Sequence, residues 1–140
     1  MDDRYGKEFV ASHDANRIDS IPVESANEIL AQLEDSTRVV GIDEAQFFDN
    51  GLIDVVERLA TRGIRVVIAG LDMDFMGKPF GPMPDLLAVA DYITKLHAIC
   101  QVCGNIANIS YRKVNEGGQV LLGEKDVYEP RCRICAQLEK

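Results

Sequence analysis

Two short runs of β-branched and apolar residues constrain this chain more than any other feature: Thr37-Arg38-Val39-Val40-Gly41-Ile42 and Ile64-Arg65-Val66-Val67-Ile68-Ala69. Each is too short for a buried helix and is bounded by polar residues, so each reads as a buried strand. Between them Leu52, Ile53, Val56, Leu59 and Ala60 recur on one helical face. Asn50 stands where a helix would be capped, and Gly63 where a left-handed residue would end it. Strand, helix, strand at this spacing is a βαβ unit, which commits the two strands to a parallel sheet with a right-handed crossover. The predicted class is α/β.

The flanking segments are read around that unit. Residues 1–20 show no clean period and are expected to be irregular. Ser25-Ala26-Asn27-Glu28 is a capping-box pattern ahead of Ile29, Leu30 and Leu33, which predicts a short helix. Residues 76–84, Met-Gly-Lys-Pro-Phe-Gly-Pro-Met-Pro, form a loop, since Pro blocks helix and Gly permits sharp turns. A helical pattern resumes over 85–92, and 93–99 is a candidate strand. Beyond it, Ile109-Ser110-Tyr111-Arg112 and Gln119-Val120-Leu121-Leu122 flank a polar turn at 115–118, as in a hairpin. The change of pattern near residue 96 divides the chain into a core of 1–95 and a smaller unit of 96–140. No internal repeat or low-complexity segment is present.

That second unit holds all four cysteines, as Cys100-Gln101-Val102-Cys103 and Cys132-Arg133-Ile134-Cys135. Two CxxC pairs bracketing a hairpin can bring four thiolates around one Zn2+. Redox-active CxxC motifs and free thiols are the competing readings, but a redox CxxC sits alone at a helix start in a thioredoxin-like context. Four thiolates leave no open position, so such a zinc would be structural. His97 lies nearby, and His97 and His13 are read as packed or solvent-facing rather than as ligands. Met73, Met76 and Met83 are read as packing or loop residues, and Lys78 as a solvated loop lysine that could also approach a phosphate.

Charge and hydropathy narrow the partners. The formal net charge is −8, which disfavours nucleic acid, whose affinity rests mainly on phosphate neutralisation. No apolar run approaches the roughly 20 residues that span a bilayer. The polar start, Met1-Asp2-Asp3-Arg4, lacks the pattern of a signal peptide, so the expected location is the cytoplasm. Without a local basic patch, phosphate binding by such an acidic chain would rest on Mg2+ and backbone N–H groups.

The chemistry-bearing motif is Val39-Val40-Gly41-Ile42-Asp43-Glu44-Ala45-Gln46-Phe47-Phe48. In open α/β sheets ligands bind beyond the carboxyl ends of the strands. An Asp there is the Walker B arrangement, in which it organises hydrated Mg2+. The Glu that follows can act as a general base on a hydroxyl or on water, so a nucleotide hydrolase fits as well as a kinase. Two acids that merely end a strand are the plain alternative. The segment Leu121 to Tyr128 could fold over a small ligand and read it with backbone groups, or be an ordinary surface loop.

Taken in order, several of these elements are distinctive: Asp2-Asp3-Arg4-Tyr5, Gly41-Ile42-Asp43-Glu44-Ala45-Gln46-Phe47-Phe48, and Gly70-Leu71-Asp72-Met73-Asp74-Phe75 with Lys78-Pro79-Phe80-Gly81. The first CxxC, Ser110-Tyr111-Arg112, the loop ending at Tyr128 and Arg131-Cys132-Arg133-Ile134-Cys135 follow. This series resembles the type II, cellular-type thymidine kinases, and in particular their bacterial branch. The resemblance implies a P-loop-NTPase-like parallel sheet core with a small zinc-ribbon, or lasso, domain. It implies transfer of the γ-phosphate of ATP to the 5′-hydroxyl of thymidine, with Mg2+, in a homotetramer open to feedback by thymidine triphosphate. By motif, Glu44 matches the catalytic base and Asp43 the magnesium-organising acid. Asp2 and Arg4 match an acid and a base near the 5′-end and the metal. Gln46, Phe47, Leu71 and Phe75 match residues around the nucleoside, and Ser110 a small hydroxyl residue near the thymine methyl. Leu121 and Gly123 match positions that bind the base through the main chain, and Tyr128 matches the lasso tyrosine.

One departure accompanies the resemblance. Family members begin with an apolar strand and a G-x-x-x-x-G-K-[ST] loop that cradles phosphates. Here Met1 directly precedes Asp2-Asp3-Arg4-Tyr5, and the Gly77-Lys78 pair is followed by Pro79. The expectation is a fragment, a truncated product or a mis-assigned start, with the first strand and the phosphate loop missing and apolar edges bare. Three readings follow: a thymidine kinase, a catalytically silent fragment that binds thymidine or its triphosphate, and a zinc-ribbon module on an ATPase-like core.

Overall fold

The computed structural model describes residues 8–11, 17–113 and 127–137. It begins with an antiparallel ladder of β1 (Glu8–Ala11) and β2 (Arg17–Ser20), with Glu8 opposite Ser20. This corrects the expectation of irregular backbone over residues 1–20. Each strand is four residues long, too short for alternation to register as a period.

Helix α1 (Ala26–Ala31) starts after Ser25, as the capping pattern predicts. The hydrogen bonding differs in detail. Ser25 Oγ donates to Glu28 Oε1 at 3.1 Å, and Glu28 Oε2 accepts from the Glu24 N–H at 3.0 Å. Strand β3 (Val39–Ile42) leads into a 3-10 turn, Ala45–Phe47, and then into helix α2 (Gly51–Thr61). The cap of α2 comes from Asp49, whereas the Asn50 side chain makes no capping bond. Asp49 Oδ1 accepts from the Gly51 N–H at 2.8 Å, while Oδ2 accepts from the Ala26 N–H at 3.2 Å. One carboxylate thus serves the first turns of both helices and holds them together.

Helix α2 ends in a Schellman motif: the Gly63 N–H meets the Ala60 carbonyl at 2.9 Å and the Ile64 N–H meets the Leu59 carbonyl at 3.1 Å. Gly63 is left-handed there, with φ of 77°. Strand β4 (Arg65–Ile68) then runs parallel to β3, Val39 opposite Arg65 and Ile42 opposite Ile68, which completes the predicted βαβ unit.

The core lies on one face of this pair. Val40, Ile42, Val66 and Ile68 pack towards Ile29, Leu52, Val55, Val56, Leu59, Ile64, Met83 and Leu86. The alternate positions face outward, with Val39 58% and Val67 52% exposed. The expectation of strands buried on both faces is therefore corrected: among the described residues only one face is covered. On α2 the apolar face includes Val55, which the sequence reading omits, while Ala60 is exposed.

Helix α3 (Met83–Val89) begins two residues earlier than expected and stops before residue 92. Pro84 lies in its first turn, where the missing N–H costs nothing. The candidate strand over 93–99 shrinks to β5 (Ala98–Ile99), which pairs antiparallel with β6 (Ile106–Ala107). Strand β7 (Ile109–Arg112) is as expected, but its described partner is β8 (Tyr128–Arg131), Ile109 opposite Arg131. The other half of the expected hairpin, 119–122, lies outside the described residues. Helix α4 (Arg133–Ala136) ends the described chain. A second packed cluster, Cys100, Ala107 and Cys132 with Cys135 against it, sits among β5, β6 and α4. Among the described residues no helix is long and apolar enough to cross a membrane.

Candidate functional site

The parallel pair places Asp43 and Glu44 at its carboxyl end. The Ala69 N–H meets the Ile42 carbonyl at 2.8 Å and the Ala45 N–H meets the Ala69 carbonyl at 3.0 Å, so the two strand ends stay joined past the ladder. Between these bonds the chain turns sharply, and Glu44 takes the left-handed conformation with φ of 52°. A non-glycine residue there costs about 1–2 kcal/mol. Asp43 Oδ1 accepts from the Glu44 N–H at 2.9 Å, which braces the turn. Both carboxylates are exposed.

Gln46 lies directly behind them and is 3% exposed. Its Nε2 donates to Glu44 Oε2 at 2.5 Å, and its Oε1 accepts from the Leu71 N–H at 2.9 Å. The side chain therefore spans from the end of β3 to the residue that follows β4. Beside it Phe47 meets Phe80 edge to face, ring centroids 5.6 Å apart, and both Phe47 and Leu71 keep apolar surface in solvent.

Residues 71–80 fold into a tight loop around Asp74. This buried carboxylate accepts through Oδ1 from the N–H groups of Met76 and Lys78, at 2.9 and 3.0 Å. The Asp74 N–H donates to the Lys78 carbonyl, and the Phe80 N–H to the Asp72 carbonyl. Lys95 pairs with Asp72 at 2.6 Å across exposed surface, a contact worth little in stability.

The loop also reaches the C-terminal strands. The Arg112 guanidinium lies 3.8 Å from the centre of the Phe75 ring. Its Nε and Nη2 donate to the Tyr128 hydroxyl at 3.3 and 3.0 Å. Ser110, two residues earlier on β7, is half-buried opposite Pro130. The loop is thus shared by two contact sets: Leu71 with Gln46 and Glu44, and Phe75 with Arg112 and Tyr128. Asp2, Arg4, Leu121 and Gly123 lie outside the described residues. Asp49 is absent from the sequence reading, and Arg112 and Asp74 enter it only inside Ser110-Tyr111-Arg112 and Gly70-Leu71-Asp72-Met73-Asp74-Phe75, with no role of their own. Each is a single polar residue whose partners lie elsewhere along the chain or are backbone groups, so the sequence does not mark its contacts.

The four cysteines converge. Cys100, Cys103, Cys132 and Cys135 place their sulfurs within 4.8 Å of one another, with Cys103 Sγ and Cys132 Sγ 3.7 Å apart. Sulfurs bound tetrahedrally at about 2.3 Å to one Zn2+ stand about 3.8 Å apart, so the donor set fits that ion. Backbone hydrogen bonds favour the thiolate at two of the four, Cys100 and Cys132. Burial opposes charge on Cys100, but backbone hydrogen bonds from Cys132, Cys103 and Val102 outweigh it and bring the pKa from 9.0 to about 6. Cys132 is lowered foremost by its backbone bond from Cys135, whose N–H lies 3.4 Å from the sulfur. Cys135 is pushed up to about 12, first by hydrogen bonding with Cys103 and then with Cys132. Arg131 braces this knuckle: it pairs with Glu129 at 2.6 Å, lies 3.6 Å over the Tyr111 ring and donates to the Cys135 carbonyl at 3.3 Å.

Comparison with known proteins gives the family. The family model described as thymidine kinase matches residues 1–136. The chain is 58% identical over 137 residues to a thymidine kinase of Rhodothermus sp. (strain ITI 518), covering 98% of this chain and 64% of that protein. It is 58% identical over 135 residues to one from Bacteroides thetaiotaomicron, covering 96% and 67%, and 57% identical over 137 residues to one from Bacteroides fragilis (strain YCH46), covering 98% and 68%. The chain spans about two thirds of the length of the curated relatives it matches. With a parallel strand pair ending in Asp43-Glu44 and four converging cysteines, it belongs to the thymidine kinase family.

Proposed function

We propose that the protein transfers the γ-phosphate of ATP to the 5′-hydroxyl of thymidine, with Glu44 taking the hydroxyl proton. The oxygen–phosphorus bond to the thymidine 5′-oxygen forms as the bond to the β,γ-bridging oxygen breaks, and ADP leaves. The observation that carries this reading is the Glu44 carboxylate, held out from a left-handed turn at the carboxyl end of a parallel strand in a chain of this family. A general base must reach the proton it removes, and an exposed, braced carboxylate at a strand end is open to such a contact. Asp43, beside it, would hold hydrated Mg2+, which when bound offsets charge on the phosphates.

The surrounding assignments form part of the same proposal. Residues 1–95 make a P-loop-type kinase core and 96–140 a zinc-bearing lasso unit. Phe47, Leu71 and Phe75 supply an apolar wall for the nucleoside, and Ser110 and Tyr128 approach the base from the other side. Arg4 and Asp2 serve the 5′-end, and Leu121 and Gly123 read the base through their backbone. Zn2+ staples the cysteine knuckles, the assembly is a cytoplasmic homotetramer, and thymidine triphosphate competes for the site.

The test is to incubate the purified protein with thymidine, Mg2+ and ATP labelled at the γ-phosphorus. Label is expected in thymidine 5′-monophosphate. Label appearing only in inorganic phosphate would contradict the reading and favour a nucleotide hydrolase. A second reading, thymidine binding without transfer, is the other outcome of this test. It predicts calorimetric binding of thymidine with no label transferred.

A further inference from the structure

We propose that Gln46 is the positioning residue for the Glu44 carboxylate, and not a ligand of the nucleoside. The proposal rests on the reading of Glu44 as the proton acceptor. A carboxylate only accepts and a backbone N–H only donates, so a single orientation of the Gln46 amide satisfies both neighbours, Nε2 towards Glu44 and Oε1 towards Leu71. Both bonds are made inside the protein by a side chain that is 3% exposed, so one N–H and one lone pair of the amide are committed to the protein itself.

The cage around Gln46 is tight on two sides. A Cβ on Gly70 would stand 2.9 Å from Gln46 Oε1 and 2.8 Å from the Met83 sulfur. A Cβ on Gly81, whose φ is 50°, would stand 2.2 Å from the Gln46 carbonyl oxygen. Glycine at both positions lets two strand-end loops close on this residue. The left-handed Glu44 turns the chain so that a side chain two residues on reaches back to the carboxylate. The result is a strut. One end is fixed to the backbone beyond β4, at a residue of the proposed nucleoside wall, and the other holds a surface carboxylate that has no other described side-chain partner.

A carboxylate on an exposed turn loses rotamer freedom only if something holds it, and a misplacement of about 1 Å can cost about 100-fold in rate. Gln46 therefore acts on kcat through Glu44 and leaves thymidine affinity nearly unchanged.

A double-mutant cycle in the full chain tests this, with Gln46→Met, Gln46→Glu, Glu44→Gln and the Glu44→Gln/Gln46→Met pair. Gln46→Met removes both hydrogen bonds at similar length. Gln46→Glu keeps the volume and the bond from the Leu71 N–H but sets a second carboxylate against Glu44, and thermal unfolding of both variants separates a folding defect from lost positioning. Each is expected to lower kcat by about 10- to 100-fold with the KM for thymidine within about 2-fold. Gln46→Met is expected to add nothing once Glu44 is Gln, because the strut then holds no base. Independently of turnover, the Gln46 side-chain amide resonances should shift on Glu44→Gln, since the acceptor changes. Unmoved resonances, an effect confined to KM, or full additivity in the cycle would each overturn the proposal. Unchanged or absent transfer in the wild-type and Glu44→Gln proteins alike would instead refute the base reading, with the Gln46 contact still decided by the resonances.

Discussion

Arg112 carries more of this molecule than any motif would suggest. It is a buried cation whose guanidinium covers the Phe75 ring and donates twice to the Tyr128 hydroxyl. Lysine lacks the planar fork and cannot make both contacts. Arg112→Lys and Arg112→Met are therefore both expected to destabilise the protein, by about 1–3 kcal/mol, as read from denaturant midpoints at unchanged slope. A loss with methionine but not lysine would mean that charge alone is required. The residues legible in the sequence were those with a repeating or clustered signature: the four cysteines, and the acids that follow an apolar strand. The contacts of Arg112, Asp74 and Asp49 were not legible, because they are made with partners that only the fold brings near. Gln46 was legible as part of a motif but not in its orientation. Which way an amide points depends on the Leu71 N–H, 25 positions away.

Among the elements, α2 is the one on which the core depends. Leu52 and Leu59 are fully buried on its inner face, and Ile64 continues that face past the cap. Leu59→Ala is expected to cost about 2–5 kcal/mol by calorimetry or denaturant unfolding. Gly63→Ala separates packing from conformation: a Cβ there meets nothing within 4 Å, but φ is 77°. The expected loss is about 1–2 kcal/mol from backbone strain alone. A neutral result would show that the helix end can re-form without the left-handed residue. The βαβ unit was readable because strand and helix periods alternate over more than 30 residues. The exposed outer face of its sheet was not, since periodicity cannot say how many layers cover a strand. The early start of α3 was missed because proline breaks a helix interior yet suits its first turn. The β1–β2 ladder left no signature beyond its pairing.

At the scale of the whole molecule the two packed clusters differ in what holds them. The α2-centred core is apolar, while the C-terminal cluster is small and built around four sulfurs. Metal-free protein is therefore expected to lose amide protection over β5 to β8 in hydrogen exchange, with the α2 core still protected. Uniform loss would contradict this. Proton competition gives the pH dependence its sign. Cys100 is lowered from 9.0 to about 6 and Cys132 is lowered too, whereas Cys135 is pushed up to about 12, and protons compete with a metal ion for all four sulfurs. Metal release is therefore expected on acidification and not in mild alkali.

The account turns most directly on the side chain at position 44. Thymidine phosphorylation by the wild-type protein and by Glu44→Gln should differ by about 100- to 10,000-fold in kcat, with thymidine affinity by calorimetry nearly the same. Equal turnover in the two proteins would contradict it.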